Sequence, residues 1–293
     1  MKKILAVLVM ALMVCSARAG FILTVENDAF TGSDNNYTHG TELAYSYLDD
    51  GIPVKEGIRS WFYTPNDISI AEPQPNDRPW CGVSVVFYER TESVETSDLT
   101  WGLEAGVQGP SAGAEWQQTE WHRLIHNDLP VGWDNQEDDW PVLTVYGELA
   151  NCFARYGREG SWEANAKLLL GGAFGTQTAR AGFGSRIEAG WNVPSVPPGG
   201  ITPKVKKSSG FASVFMEGRE NAVAYNTTIN NTFRTDQSDL TLNPVVGELR
   251  YGIRAGWKWL SAMYALCRRT EEFEGQEGQM DWGVVSLAFG SCF

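Results

Sequence analysis

The sequence predicts an all-β protein: an antiparallel transmembrane β-barrel of about twelve strands, with one short helix near residues 114–127 inserted in a loop. Three observations predict it. Segments of about ten residues alternate apolar and polar side chains between turns, the pattern of a barrel wall. No apolar run reaches the ~20 residues a membrane helix needs. Aromatic residues are abundant, with Trp 12, Tyr 10 and Phe 13 among 293 residues, as interfacial girdles require.

The first residues, MKKILAVLVMALMVCSARAG, combine Lys2 and Lys3, an apolar run from Ile4 to Val14 and the small-residue site Ala17-Arg18-Ala19. They read as a secretory signal peptide over 1–19, leaving an outer-membrane barrel domain over 20–293. Val14 stands where a lipoprotein box before Cys15 would want a small residue. Tyr37–Leu48, Cys81–Tyr88 and 99–110 then read as strands, the last with Leu99, Trp101, Leu103, Ala105 and Val107 on one face. The pattern returns over 142–156, 163–175, 180–191, 211–221, 245–267 and 281–293. The chain ends on Phe293, and a terminal aromatic on an amphipathic last strand resembles the recognition signal of bacterial outer-membrane barrels. A soluble β-sandwich is the structural rival, since it too has short strands with one polar face.

Two segments break this rhythm. Residues 51–79 are rich in Pro, Asn and Asp and read as a long loop. Residues 114–127, AEWQQTEWHRLIHN, have helical spacing, with Gln118 and His122 four apart and Ile125 and His126 one turn on. Lysine and arginine total 23 against 36 acidic residues, a net charge of -13. That balance argues against nucleic acid and is compatible with a cation. Cys81, Cys152, Cys267 and Cys292 are far apart and form no C-x-x-C pair. One or two disulfides are open to them in an oxidising compartment.

Chemistry centres on few residues. His122 and His126 make H-x-x-x-H, but Arg123 occupies the place where a zinc protease helix carries its glutamate base. A neutral imidazole can instead take a proton from water near neutral pH. A hard cation such as calcium wants several oxygen ligands, which Asn27, Asp28, Thr38 and Asp128 offer. Histidine and calcium together suffice to hydrolyse an ester without a covalent intermediate, because the ion stabilises the oxyanion. The bland alternative for Asn27-Asp28 is an Asx turn at a strand end.

Five motifs, 26-ENDAF-30, 37-YTHG-40, 109-GPSAG-113, 118-QTEWHR-123 and 132-GWDNQ-136, resemble the outer-membrane lipid A 3′-O-deacylase family in order and approximate spacing. The resemblance implies a twelve-stranded, calcium-dependent barrel esterase that removes the 3′-linked acyl or acyloxyacyl group of lipid A. Its site would lie between the outer wall and the loop helix. It implies His122 as the water-activating residue, Asn27 and Asp28 as calcium-binding and carbonyl-facing, and Thr38 as a positioning hydroxyl. Where a family member carries a glutamate, this chain has Asp128, one methylene shorter, as a calcium ligand. Gln118 and Tyr37 are expected in support of the site, and Arg123 beside a lipid A phosphate. Trp116 and Trp121 either contact acyl chains or pack on the wall, and His126 is expected at the surface or in helix packing. The expected protein is a monomer whose partners are lipopolysaccharide and membrane lipid. The alternatives are an outer-membrane phospholipase and a non-catalytic barrel serving as pore or structural protein.

Overall fold

A computed structural model describes residues 19–32, 36–158, 160–194, 210–230, 233 and 239–290. Of the expected leader over 1–19, residues 1–18 lie outside the described residues, as do the terminal Cys292 and Phe293, and Ala19 is the first residue of the first strand. Twelve strands follow in order: β1 (Ala19–Asn27), β2 (Tyr37–Asp49), β3 (Ile52–Tyr63), β4 (Cys81–Val94), β5 (Ser97–Gln108) and β6 (Trp140–Gly157). Then come β7 (Trp162–Gly175), β8 (Thr178–Trp191), β9 (Phe211–Asn226), β10 (Val245–Trp257), β11 (Leu260–Arg269) and β12 (Met280–Gly290). One α-helix, α1 (Ala114–Ile125), interrupts the β5–β6 connection. Each strand pairs antiparallel with its sequence neighbours, and β1 closes the barrel on β12 from Gly20↔Gly290 to Asn27↔Gly283. Closure leaves no unpaired strand edge, which a membrane would penalise.

The loop expected over 51–79 is corrected: β3 occupies Ile52–Tyr63, and only 64–80 is connection. Pro53 hides this strand from a sequence reading, but it stands at the strand's start, where a missing N–H costs least. The turn before β3 is Asp50-Gly51, both with positive φ (47° and 83°), the requirement of a tight hairpin. Comparable two-residue turns join β4 to β5 and β10 to β11 on that rim. Four long connections, 64–80, 109–139, 227–244 and 270–279, join strand ends at the opposite rim, and one, 192–210, joins strand ends at the hairpin rim. The rim with most of the long connections is the outward-facing one in bacterial barrels.

Alternation divides the wall. Val86, Leu103, Val145, Leu170, Phe183 and Ile253 are exposed on the outside, the surface that lipid covers. Inside, Arg59 pairs with Glu42 at 2.6 Å and Glu104 at 2.7 Å, and Arg254 with Glu188 at 2.6 Å. These ion pairs line a lumen holding a cavity of about 600 Å³. At the loop rim the lumen is obstructed. Arg78, fully buried, pairs with Glu272, donates to Thr228 Oγ1 at 3.1 Å and lies 3.6 Å over the Tyr63 ring. Ile229, Leu240 and Phe273 pack together beside it. Cys81, Cys152 and Cys267 are free thiols, so the disulfides open to the sequence do not link these three. Among the described residues no helix is long and apolar enough to cross a membrane.

Candidate active site

The site begins at the loop-rim tip of β1. Thr24 and Glu26 face the lumen, so alternation turns Asn27 to the outer face. Its Oδ1 accepts the Ala29 N–H at 2.9 Å and caps a short 3-10 turn over Asp28–Thr31. Its Nδ2 donates to the Thr38 carbonyl at 2.9 Å. The Asx-turn reading of this pair therefore describes part of what Asn27 does. Asp28 is buried, and its Oδ1 accepts the same Ala29 N–H at 2.8 Å.

A bulge in β2 sets what lies beside this tip. The register against β3 slips between Tyr37 and His39, leaving Thr38 as the extra residue. Two residues that strict alternation would put on one face are thereby sent to opposite faces. Tyr37 turns inward and donates to Glu26 Oε2 at 2.8 Å, with Trp282 donating to the same oxygen at 2.9 Å. Gly40 permits this, because a Cβ there would collide with the Tyr37 hydroxyl. The expectation that Tyr37 supports the outer site is thus corrected. His39 faces outward, with Nδ1 3.4 Å from Asn27 Nδ2 and its ring 5.3 Å from that of Phe62. Thr38 is buried, its Oγ1 hydrogen-bonded to Thr64 Oγ1 at 2.8 Å.

The opposite wall comes from α1. Gly82 of β4 lacks the Cβ that would strike Ala114, so the helix start sits directly on the strand. Ala114, Gln118 and His122 form its buried stripe at i, i+4 and i+8. Gln118 Oε1 accepts from Trp133 Nε1 at 2.8 Å, while its Nε2 is buried without a hydrogen-bond partner. Trp133 packs 5.9 Å from Phe62 and 4.9 Å from Trp80. A Cβ on Gly132 would lie 2.6 Å from the Trp80 ring, so glycine is needed for that packing. A continuous run of contacts therefore joins Asn27 through His39, Phe62, Trp133 and Gln118 to the helix turn that carries His122.

The helix ends in a tight reversal at His126. His126 adopts left-handed φ (58°) as C-cap, and the Asn127 N–H returns to the His122 carbonyl at 2.9 Å. The reversed chain brings the Asp128 carbonyl to His122 Nδ1. A carbonyl only accepts, so Nδ1 carries the proton and Nε2 of the neutral ring keeps its lone pair. The Asp128 side chain is exposed, and its backbone is what meets the histidine. Arg123 is exposed and paired with Glu120 one turn back. Trp116 and Trp121, at 70% and 45% exposure, do not pack into the wall, and His126 is exposed.

Sequence reasoning did not select His39 or Trp133 as supports. His39 lies within the quoted 37-YTHG-40 and Trp133 within 132-GWDNQ-136, so the motifs held the signal. Among the described residues no group of three or more His, Cys, Asp or Glu could hold a metal ion. The donors at the β1 tip, Asn27, Asp28 and Thr38, are all oxygen, a set that fits a hard cation but falls short of its six to eight ligands.

A family model described as outer membrane protein LpxR matches residues 4–290. The fold is similar to that of LpxR from Salmonella typhimurium, with TM-score 0.81 and 20% identity over 92% of this chain and 99% of that one. The β-domain of the Bordetella autotransporter BrkA aligns over 92% and 97% with 11% identity and TM-score 0.42. No curated protein matches the sequence.

Proposed function

The chain belongs to the LpxR family of outer membrane proteins, and on that premise we propose that it is a lipid A deacylase, an esterase releasing the 3′-linked acyl or acyloxyacyl group. The observation that carries the proposal is the state of His122: Nδ1 is engaged by the Asp128 carbonyl, leaving Nε2 to accept a proton. It stands on a helix whose contacts lead to the oxygen-rich tip of β1.

In the reaction we infer, His122 Nε2 removes a proton from water as the oxygen attacks the ester carbonyl. The same nitrogen then returns it to the sugar oxygen as the acyl C–O bond breaks, so that the sugar leaves as a hydroxyl and the acyl group as a carboxylate. Thr38 orients the acyl ester. Gln118, with its Nε2 N–H groups unengaged by protein, donates to the ester or to the water. Asp28, Asn27 and Asp128 are the residues that would hold calcium. When bound, the ion supplies positive charge for the oxyanion. The protein acts as a monomer on lipopolysaccharide in its own membrane. Obstruction of the lumen by Arg78, Glu272 and the Ile229–Leu240–Phe273 cluster favours this over a pore.

Purified protein in mixed micelles with lipid A, read by mass spectrometry with calcium or with a chelator, tests the proposal. Loss of the 3′-linked group with calcium, and its retention with His122→Ala, is expected. Unchanged lipid A alongside cleaved glycerophospholipid would transfer the assignment to a phospholipase.

A further inference from the structure

Helix α1 divides its surface into stripes that do not suit a helix in water. The stripe against the barrel, Ala114, Gln118 and His122, is buried and mostly polar. The stripe at i, i+4 and i+7 holds Gln117, Trp121 and Leu124, with Ile125 beside it. Trp121, Leu124 and Ile125 are 45%, 66% and 48% exposed. On the other flank stand Glu115, Thr119 and Arg123, again four apart.

The hydrogen bonds give these flanks a direction. Gln117 Nε2 donates to Ser60 Oγ at 3.0 Å. Ser60 lies further from the loop rim along β3 than Phe62, the residue level with Gly82 beneath the helix start. The stripe of Gln117, Trp121 and Leu124 therefore looks down the wall toward the membrane, and that of Glu115, Thr119 and Arg123 looks up. The next outward rung below Ser60 and its partner Ser84 is the cross-strand pair Ile58↔Val86, exposed at 53% and 58%. Those residues belong to the lipid-facing band. The apolar side chains of the lower flank of α1 look toward that band across one polar rung, Ser60 and Ser84, to which Gln117 is hydrogen-bonded.

We propose that α1 is seated in the outer leaflet, with Trp121, Leu124 and Ile125 among the acyl chains and Glu115, Thr119 and Arg123 at headgroup level. A helix with one apolar and one charged flank partitions in this way at a bilayer boundary. Bilayer acyl chains would then lie under the helix against Ser60, Ile58 and Val86, and a lipid would reach His122 sideways without leaving the membrane. The seat rests on the barrel's place in the outer membrane and holds whether or not hydrolysis occurs.

Nitroxide labels test it in the full chain reconstituted into phosphatidylcholine vesicles. They are introduced by Trp121→Cys, Leu124→Cys, Thr119→Cys, Arg123→Cys and, as the lipid reference, Val86→Cys, in a background with the native cysteines replaced by serine. Collision with oxygen is expected to exceed collision with a water-soluble nickel chelate at 121 and 124, as at 86, with the order reversed at 119 and 123. Water-like accessibility at 121 and 124 overturns the proposal. So does shielding there from both reagents, which would signal a second protein surface instead of lipid. If the cysteine-free chain fails to fold, hydroxyl-radical footprinting of the unaltered protein in the same vesicles decides. Oxidation of Trp121 and Leu124, each divided by the intrinsic reactivity of its residue type toward hydroxyl radical, is expected to be no greater than that of Val86; normalised oxidation at 121 and 124 well above that at 86 overturns the proposal.

Discussion

Two side chains on one helix stripe, His122 and Gln118, carry the chemistry proposed for the site. His122 is posed by a backbone carbonyl on the outer helix, so its removal should take away the proposed base while the barrel stays folded. His122→Ala is expected to slow lipid A deacylation by about a hundredfold to ten-thousandfold, measured by mass spectrometry on protein with unchanged heat-modifiable gel mobility. Gln118 has one end bonded to Trp133 and the other buried without a partner. Gln118→Leu removes an unsatisfied amide but orphans the Trp133 N–H. These two effects, each about 1–3 kcal/mol, oppose one another. The melting temperature should therefore hardly move, while the loss of a hydrogen bond to substrate lowers kcat/KM about tenfold. Of the residues singled out from sequence, Asn27, Asp28 and Thr38 do gather at the β1 tip. Tyr37 turned away because a single-residue bulge cannot be read from an alternation it interrupts.

At the scale of elements, the seat of α1 on β4 depends on a glycine opposite an alanine. A side chain at 82 would meet Ala114 head-on. Gly82→Val is expected to lift the helix start and cost activity about tenfold or more, since small displacements of a catalytic group are expensive. The barrel, held by twelve ladders, should still run as a folded species on unheated gels. A fully active Gly82→Val variant would show that helix placement is not limiting. The helix itself was legible from its spacing; that it starts after Gly113, whose φ is left-handed (74°), was a finding of the structure. Its inverted burial was not legible, because a hydrophobic pattern records which faces differ and not which one meets the wall. Strand β3 was missed because Pro53 and the Asx-rich stretch after Tyr63 masked a short alternating run.

Over the whole molecule, the loop rim is held by a buried charge pair. Burial pushes the Glu272 carboxyl up, but the guanidiniums of Arg78 and Arg269 outweigh it and hold the carboxyl below the usual range. A depressed carboxylate contributes stability that is complete above its unfolded pKa and is lost as pH falls through the folded one. Wild-type protein should accordingly lose thermal stability on acidification below the ordinary carboxylate range. Glu272→Gln, which leaves Arg78 buried and unpaired, should be less stable at neutral pH by about 3–5 kcal/mol, with a flatter acid profile in thermal unfolding. The obstructed lumen carries a separate expectation: in planar bilayers the protein should conduct no steady ion current, and porin-like steps would contradict the proposed enzyme.

The sequence by itself determined the class of fold, the number of strands and the presence of one inserted helix, because alternation and helical spacing are local and repeat many times. It also held the motif residues of the candidate site. Only the tertiary structure decided which way those residues face: the strand order set the β1 tip two strands from β3, against which a helix about ninety residues away packs, a bulge sorted Tyr37 from His39, and the turn after His126 delivered the Asp128 carbonyl to His122. Each of these depends on register between distant segments, and register is set by packing and pairing across the whole wall.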